Sequence, residues 1–303
     1  MSSGKITLEQ RKASLRYHVQ EYRKRRVIID TDAACEADDP FAIAQALMSK
    51  MLEVKGICAE HFVAEGSMEQ SYEMICRVTE AMGAEVLRGQ TGKMSEHHGE
   101  PMTEAAQFIV GEAMKEDDKP LFVLCIGAVT NVAEAIRAKS EIVDRMTVVC
   151  IGGNPIGCEK PGWEFNFGND VEAANIVLRC GGDVWLIPNN VYGTMHIGFG
   201  EMQQRIAPYG EIGRLLYENL ISFYETENAS WSAGESWSLG DSPAVGVTLE
   251  PNCGSFMYCK APEVQEDTSY RYPENSPQIR VYTSINSRFI IEDFISKLQI
   301  LYG

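Results

Sequence analysis

The chain has 303 residues, and its 43 acidic against 27 basic side chains give a formal charge of −16, which argues against a nucleic-acid or anionic-membrane partner. With 45% hydrophobic residues and no Pro/Gly/Ser-rich linker, the length predicts one α/β domain with a large core. No run approaches roughly 18 consecutive apolar residues, and residues 1–26 are polar and charged without the apolar centre of a signal peptide; a cytoplasmic protein with no membrane partner is expected.

In chain order, residues 1–26 read as a helical extension, with a polar amphipathic helix from Leu8 to Arg25 leading into the main domain, 27–303. The basic run Arg23 to Arg26 reads as its solvated end. Val27 to Ile29 form a buried strand, and Pro40 to Leu47 a helix with Asp39 as its cap and Pro40 in the first turn. Glu53 to Glu60, Glu85 to Arg88, Leu121 to Ile126, Arg145 to Ile151 and Asp183 to Ile187 are further strands. They alternate with helices at Met68 to Met82, Thr103 to Lys115, Asn131 to Ala138 and Val171 to Arg179. Helices near Gly200 to Ile206 and Ile212 to Thr226 precede a Trp/Ser/Gly-rich loop from Asn228 to Gly240. Strands Ser255 to Lys260 and Gln278 to Ser284 and a helix from Ser287 to Leu301 close the chain. The βαβα alternation predicts an open, mostly parallel twisted sheet with helices on both faces.

Chemistry concentrates after the first strand, where Asp30, Asp32, Asp38 and Asp39 fall within one short loop. That loop leaves the carboxyl end of a strand, where open α/β sheets place their sites, and like charges so close call for a cation among them. The simpler alternative is a capping pair plus a solvated acidic turn, which accounts for Asp39 alone. Asp241 before Pro243 repeats the Asp39-Pro40 device. Glu164 and Asn166, flanked by Trp163 and Phe165, suit hydrogen bonding and stacking on a sugar, or loop capping. No Gly-x-Gly-x-x-Gly follows the first strand, which removes an ordinary dinucleotide site. Nine cysteines with no C-x-x-C pair suit a reducing compartment.

These residues resemble the nucleoside hydrolase family, the inosine/uridine-preferring N-ribohydrolases. The resemblance rests on Asp30-Thr31-Asp32 with Asp38-Asp39, on Ile126-Gly127-Ala128-Val129-Thr130-Asn131-Val132-Ala133, and on Ile151-Gly152-Gly153 followed by Glu164-Phe165-Asn166 and Asp170. It implies a Rossmann-like core and calcium-dependent hydrolysis of the N-glycosidic bond of a ribonucleoside or related N-riboside. In the implied site Asp32, Asp39, Asp241 and the carbonyl of Ile126 hold Ca²⁺, and Asp32 accepts a proton from the attacking water. Asp38 binds a ribose hydroxyl, and Glu164 and Asn166 hold the sugar. A homodimer or homotetramer is implied as well.

The chain departs from the family in three places, one of them Ala59-Glu60-His61-Phe62 after the second strand, where the family often has an asparagine. Five residues, Ala33 to Ala37, separate Asp32 from Asp38 where many members have three, and Gly240 stands where some members carry a histidine that protonates the leaving base. His61, His97, His98 and the aromatics around Trp163, Trp231 and Trp237 are the candidates to contact or protonate that base. Two alternatives remain at this stage: a family member that binds nucleoside or sugar without catalysis, and a haloacid-dehalogenase-like Mg²⁺ phosphatase with Asp30 as nucleophile.

Overall fold

Runs such as Val27-Ile28-Ile29 and Leu121-Phe122-Val123-Leu124 are apolar at every position, so a strand made of them needs cover on both faces. The computed structural model describes residues 6–62 and 64–303 and supplies that cover. Helix α1 (Leu8–Lys12) precedes β1 (Arg25–Thr31), α2 (Asp39–Met48), β2 (Leu52–Ala59), α3 (Ser67–Met82) and β3 (Val86–Arg88). Next come α4 (Glu104–Ala113), β4 (Leu121–Cys125), α5 (Thr130–Ala138), β5 (Met146–Ile151), α6 (Phe165–Asn169), α7 (Val171–Leu178) and β6 (Asp183–Ile187). The last third holds α8 (Asn189–Tyr192), β7 (His196–Gly198), α9 (Phe199–Arg205), α10 (Gly210–Tyr224), β8 (Ser236–Ser238) and α11 (Ser242–Leu249). It closes with β9 (Gly254–Lys260), the two-residue strands β10 (Glu263–Val264) and β11 (Tyr270–Arg271), β12 (Gln278–Ile285) and α12 (Ser287–Tyr302).

Eight strands form one sheet in the order β3-β2-β1-β4-β5-β6-β12-β9. All pairings are parallel except that of β12 with the edge strand β9. Side chains alternate across the sheet, so Val27 and Ile29 enter one core with Phe41, Ile75, Leu216 and Phe294, while Ile28 enters the other with Ile109, Val132 and Val177. Strand order reverses at β1, whose neighbours are β2 on one side and β4 on the other. The crevice at such a switch point, at the carboxyl ends of β1 and β4, is where this architecture binds ligands.

The amino-terminal expectation needs correcting. The helix stops at Lys12, held at its start by a capping box between Thr7 and Gln10. Beyond it Leu15 is buried, and Lys50 donates from Nζ to the carbonyls of Leu15 at 2.5 Å and Tyr17 at 3.0 Å, drawing the segment over the domain. Leu8 and Leu15 join the main core. The basic run is not a solvated helix end either: Arg25 and Arg26 pair in β1, and Arg26 is buried with its Nη1 donating to the Glu112 carbonyl at 2.9 Å. Helical periodicity carries no information about these distant partners, and strand pairing outweighs it. The Asn228 to Gly240 stretch, read as loop, contains β8, which pairs with β7 and buries Trp237. Among the described residues no helix is long and apolar enough to cross a membrane.

Candidate active site

β1 ends at Thr31 and delivers Asp32 to the mouth of the switch-point crevice. Five residues, Ala33 to Ala37, separate Asp32 from Asp38, which takes the N-cap position of α2, with Asp39 and Pro40 in the first turn. The cap is therefore one residue earlier than the sequence suggested, and its side chain makes no capping hydrogen bond. The Asp39 carboxylate instead accepts from Thr31 Oγ1 at 2.5 Å, which ties the helix start to the strand end. Asp241 occupies the N-cap position of α11, also without a capping bond. Capping thus leaves Asp38 and Asp241 free to face the crevice.

The crevice is lined by Asp32, Cys35, Glu36, Asp38, Asp39 and Asp241, with Ile126, Ile151, Phe165, Asn166, Tyr192 and Gly240 completing its wall. Carboxylate oxygens of Asp38, Asp39 and Asp241 lie within 4.8 Å of one another; Asp32 lines the same crevice but is not part of that trio. A Cβ at Gly127 would stand 2.5 Å from Asp32 Oδ1, so only glycine lets the turn after β4 approach this carboxylate.

Burial is the largest force raising the pKa of each of these acids. It lifts Asp39 to about 6 and Glu36 to about 7, and it holds Asp32, Asp38 and Asp241 well above the carboxylate range, with neighbouring carboxylates adding to the rise. No Lys, Arg or His is among the lining residues. A buried, hard-oxygen, all-acid set without a counter-charge has the donor chemistry of a divalent-cation site.

Glu164 is buried and caps α6, accepting from the amides of Asn166 at 3.3 Å and Phe167 at 3.0 Å and from the Tyr192 hydroxyl at 3.1 Å. Burial, the first of its causes, raises its pKa. Asn166 reaches the crevice wall, and its Nδ2 donates to the Ile151 carbonyl at 2.9 Å.

His61 and Trp163 are not brought to this wall. His61 is buried at hydrogen-bond distance, 2.9 Å, from Thr130 Oγ1, which in turn donates to Asp170, and desolvation lowers its pKa. Trp163 is 58% exposed and lies against Gly168. His97 and His98 line a separate cavity of about 190 Å³ with Arg137 and Glu134, and Trp231 packs against the buried Trp237 at 5.0 Å.

Behind the crevice lies a buried polar layer. Asn131 donates to Asp30 and to the Ala59 carbonyl, and its backbone amide donates to Glu60 at 2.7 Å. Burial lifts Asp30 to about 7 and Glu60 well above its usual range. Glu36, Cys35, Tyr192 and Glu60 were not singled out from the sequence. Glu36 sits within the noted acidic loop and could have been found there; Tyr192 comes from a distant helix and carried no local signal.

A cavity of about 590 Å³ lies at the opposite edge of the sheet beside the starts of β1 and β2, lined by Lys12, Lys24, Lys50 and Lys55 among others. The acidic crevice, not this one, occupies the carboxyl edge at the strand-order reversal.

With fold and site in hand, comparisons with known proteins converge. The family described as inosine-uridine preferring nucleoside hydrolase matches residues 27–291. The pyrimidine-specific ribonucleoside hydrolase RihA of Salmonella paratyphi A is 25% identical over 262 residues, covering 78% of this chain and 80% of that one. Uridine nucleosidase 1 of Arabidopsis thaliana is 26% identical over 226 residues, 66% of each chain. Among solved structures, the purine-preferring ribonucleoside hydrolase from Gardnerella vaginalis superposes with a TM-score of 0.76 at 22% identity, covering 92% of this chain and 99% of that one. A plant nucleoside hydrolase gives 0.74 at 16% identity, over 91% and 99% of the two chains.

The family match and the curated relatives define a hydrolase that acts on N-glycosyl bonds. The chain belongs to the inosine-uridine preferring nucleoside hydrolase family, which removes the phosphatase alternative.

Proposed function

We propose that the protein hydrolyses the N-glycosidic bond of a ribonucleoside or related N-riboside in a calcium-dependent reaction, giving free base and ribose. The observation that carries this reading is the convergence of the Asp38, Asp39 and Asp241 carboxylates within 4.8 Å in a crevice with no basic side chain in its wall. Asp32, Asp39, Asp241 and the carbonyl of Ile126 would hold the ion; Ca²⁺ takes about six to eight oxygens, and this donor set is all oxygen. When bound, the ion lowers the pKa of a coordinated water and orients sugar hydroxyls.

The chain's own groups supply the rest. Asp32, packed against Gly127, accepts the proton of the attacking water as that water bonds to the anomeric carbon. The carboxylates facing the crevice stabilise the positive charge that develops on the ribosyl ring in an oxocarbenium-like transition state. Asp38 and Asn166 accept and donate hydrogen bonds to ribose hydroxyls, with Glu164 holding α6 and Tyr192 in place beside them. His61 and Trp163 stand outside the lining, so no step is assigned to them. A cytoplasmic setting, in keeping with nine free cysteines, and assembly as a homodimer or homotetramer complete the reading.

Elemental analysis of the purified protein and a nucleoside screen for free base and reducing sugar test it together. One bound calcium and base release support the reading. Binding of nucleosides without release would instead favour a non-catalytic binder.

A further inference from the structure

The eight-stranded sheet ends differently at its two edges. β3 is three residues long, whereas β9 runs for seven, Gly254 to Lys260, and within the sheet pairs only with β12. An edge strand presents a row of unpaired amides and carbonyls, which proteins blunt with brevity, proline, a bulge or charge. β9 has no proline, and Lys260 at its end is its only charged residue. The extra residue in its pairing, Thr283, belongs to β12 and leaves β9 regular.

The neighbours of β9 fix which backbone groups face outward. Ser255 faces β12: its amide donates to Ser284 Oγ and its carbonyl accepts from Thr283 Oγ1, both at 3.2 Å. Ala261 again donates inward, to the Pro277 carbonyl at 2.8 Å. Alternation along the strand then points the amides and carbonyls of Phe256, Tyr258 and Lys260 at the open edge. The side chains beside them are of the types enriched at protein interfaces. Met257 is 43% and Tyr258 56% exposed. Arg280 stacks on Trp185 at 4.1 Å and Phe256 at 4.4 Å, and its Nη2 donates to Tyr258 Oη at 3.0 Å.

Charge and register together select the occupant. Two chains of formal charge −16 repel each other, yet β9 and β12 carry Lys260 and Arg280 and no acidic residue, so copies meet at this edge with the least repulsion. Laid antiparallel on its own copy about a two-fold axis through Met257, β9 sets Phe256 opposite Tyr258 of the second copy and Tyr258 opposite its Phe256. Each such pair exchanges both outward backbone hydrogen bonds and brings two aromatic rings together on one face. Gly254 opposite Lys260 extends the ladder, and Met257 meets itself on the other face. We infer that β9 is the surface on which a second copy of this chain docks, edge to edge, joining two sheets into one through an isologous interface. The inference rests on the homo-oligomer part of the reading above and is independent of the chemistry.

Sedimentation of the full chain, with Met257→Lys and Met257→Cys alongside, tests it. Wild type should sediment at two or four times the chain mass of 33.7 kDa. Lysine at the exposed position 257 leaves the monomer folded but sets two cations directly opposite each other, and a rise of at least about tenfold in the dissociation constant of this contact is expected. Cα atoms of a non-hydrogen-bonded antiparallel pair stand about 4.5 Å apart, within disulfide reach. Met257→Cys should therefore give a covalent dimer on oxidation with diamide, linked at position 257 of both copies by peptide mapping and absent from wild type treated alike. This readout stands even if Met257→Lys fails to fold. A monomeric wild type overturns the inference and the homo-oligomer reading together. An oligomer that folded Met257→Lys does not weaken, or one that gives no link at position 257, overturns the edge pairing alone.

Discussion

Asn131 donates from Nδ2 to Asp30 Oδ1 at 2.9 Å, across 101 positions of sequence, and turns the first aspartate of the motif away from the crevice. Asp32, two residues on, faces the crevice instead. The two acids should therefore respond differently to the same change. Asp30→Asn is expected to retain nucleoside hydrolysis within about tenfold, because an amide keeps an oxygen for Asn131. Asp32→Asn keeps an oxygen for the ion but cannot take the proton, and a loss of roughly 10² to 10⁴ in kcat is expected. Full activity in Asp32→Asn at equal calcium occupancy would defeat the mechanism.

Glu164 and Asn166 separate in the same way, into fold and chemistry. Glu164→Ala removes the acceptor for two helix-start amides and the Tyr192 hydroxyl, at a cost of about 1–3 kcal/mol, read as a lower denaturation midpoint. Asn166→Ala gives up a single side-chain bond at the half-buried wall, so its melting temperature should stay within a few degrees of wild type while kcat/KM falls. Unfolding of Asn166→Ala would mean that this side chain serves the fold.

Gly127→Ala should abolish activity with a smaller loss of stability. The added methyl would stand 2.5 Å from Asp32 Oδ1 and 2.9 Å from the Asp32 amide, so the carboxylate must move. Hydrolysis and calcium affinity measured on the same preparation check this, and unchanged values of both would contradict it.

Metal-free protein should lose stability as pH rises. Burial, first among the causes, raises Asp39 to about 6 and Asp30 and Glu36 to about 7, above their ordinary values near 4 in the unfolded chain. Between those limits the folded state binds more protons than the unfolded one, so the contribution of these groups is complete below about pH 4 and disappears by about pH 7. The melting temperature of chelator-treated protein is expected to fall across this window. Calcium at a hundredfold excess over its Kd should restore about 2.7 kcal/mol at neutral pH. A flat pH profile together with no calcium effect would exclude an ion from the crevice.

The sequence by itself determined the sheet, its mostly parallel sense and the location of the acids, because those follow from local signals. Continuous apolar runs such as Val27 to Ile29 read as strands buried on both faces, glycine turns mark where they end, and aspartates with a proline behind them mark where helices begin. The family motifs are of the same short-range kind, which is why Asp32, Asp38, Asp39 and Asn166 could be named before any coordinate. Only the tertiary structure decided which groups face one another. It brought Tyr192 to Glu164, turned Asp30 toward Asn131, placed Glu36 in the wall and His61 behind it, and laid residues 13–20 over the domain rather than into a helix. Each of these rests on contacts between residues tens to hundreds of positions apart. Hydrophobic periodicity and capping patterns report a residue's neighbours within a turn or a strand, whereas burial and long-range hydrogen bonds set a side chain's direction and charge only once the chain has closed on itself.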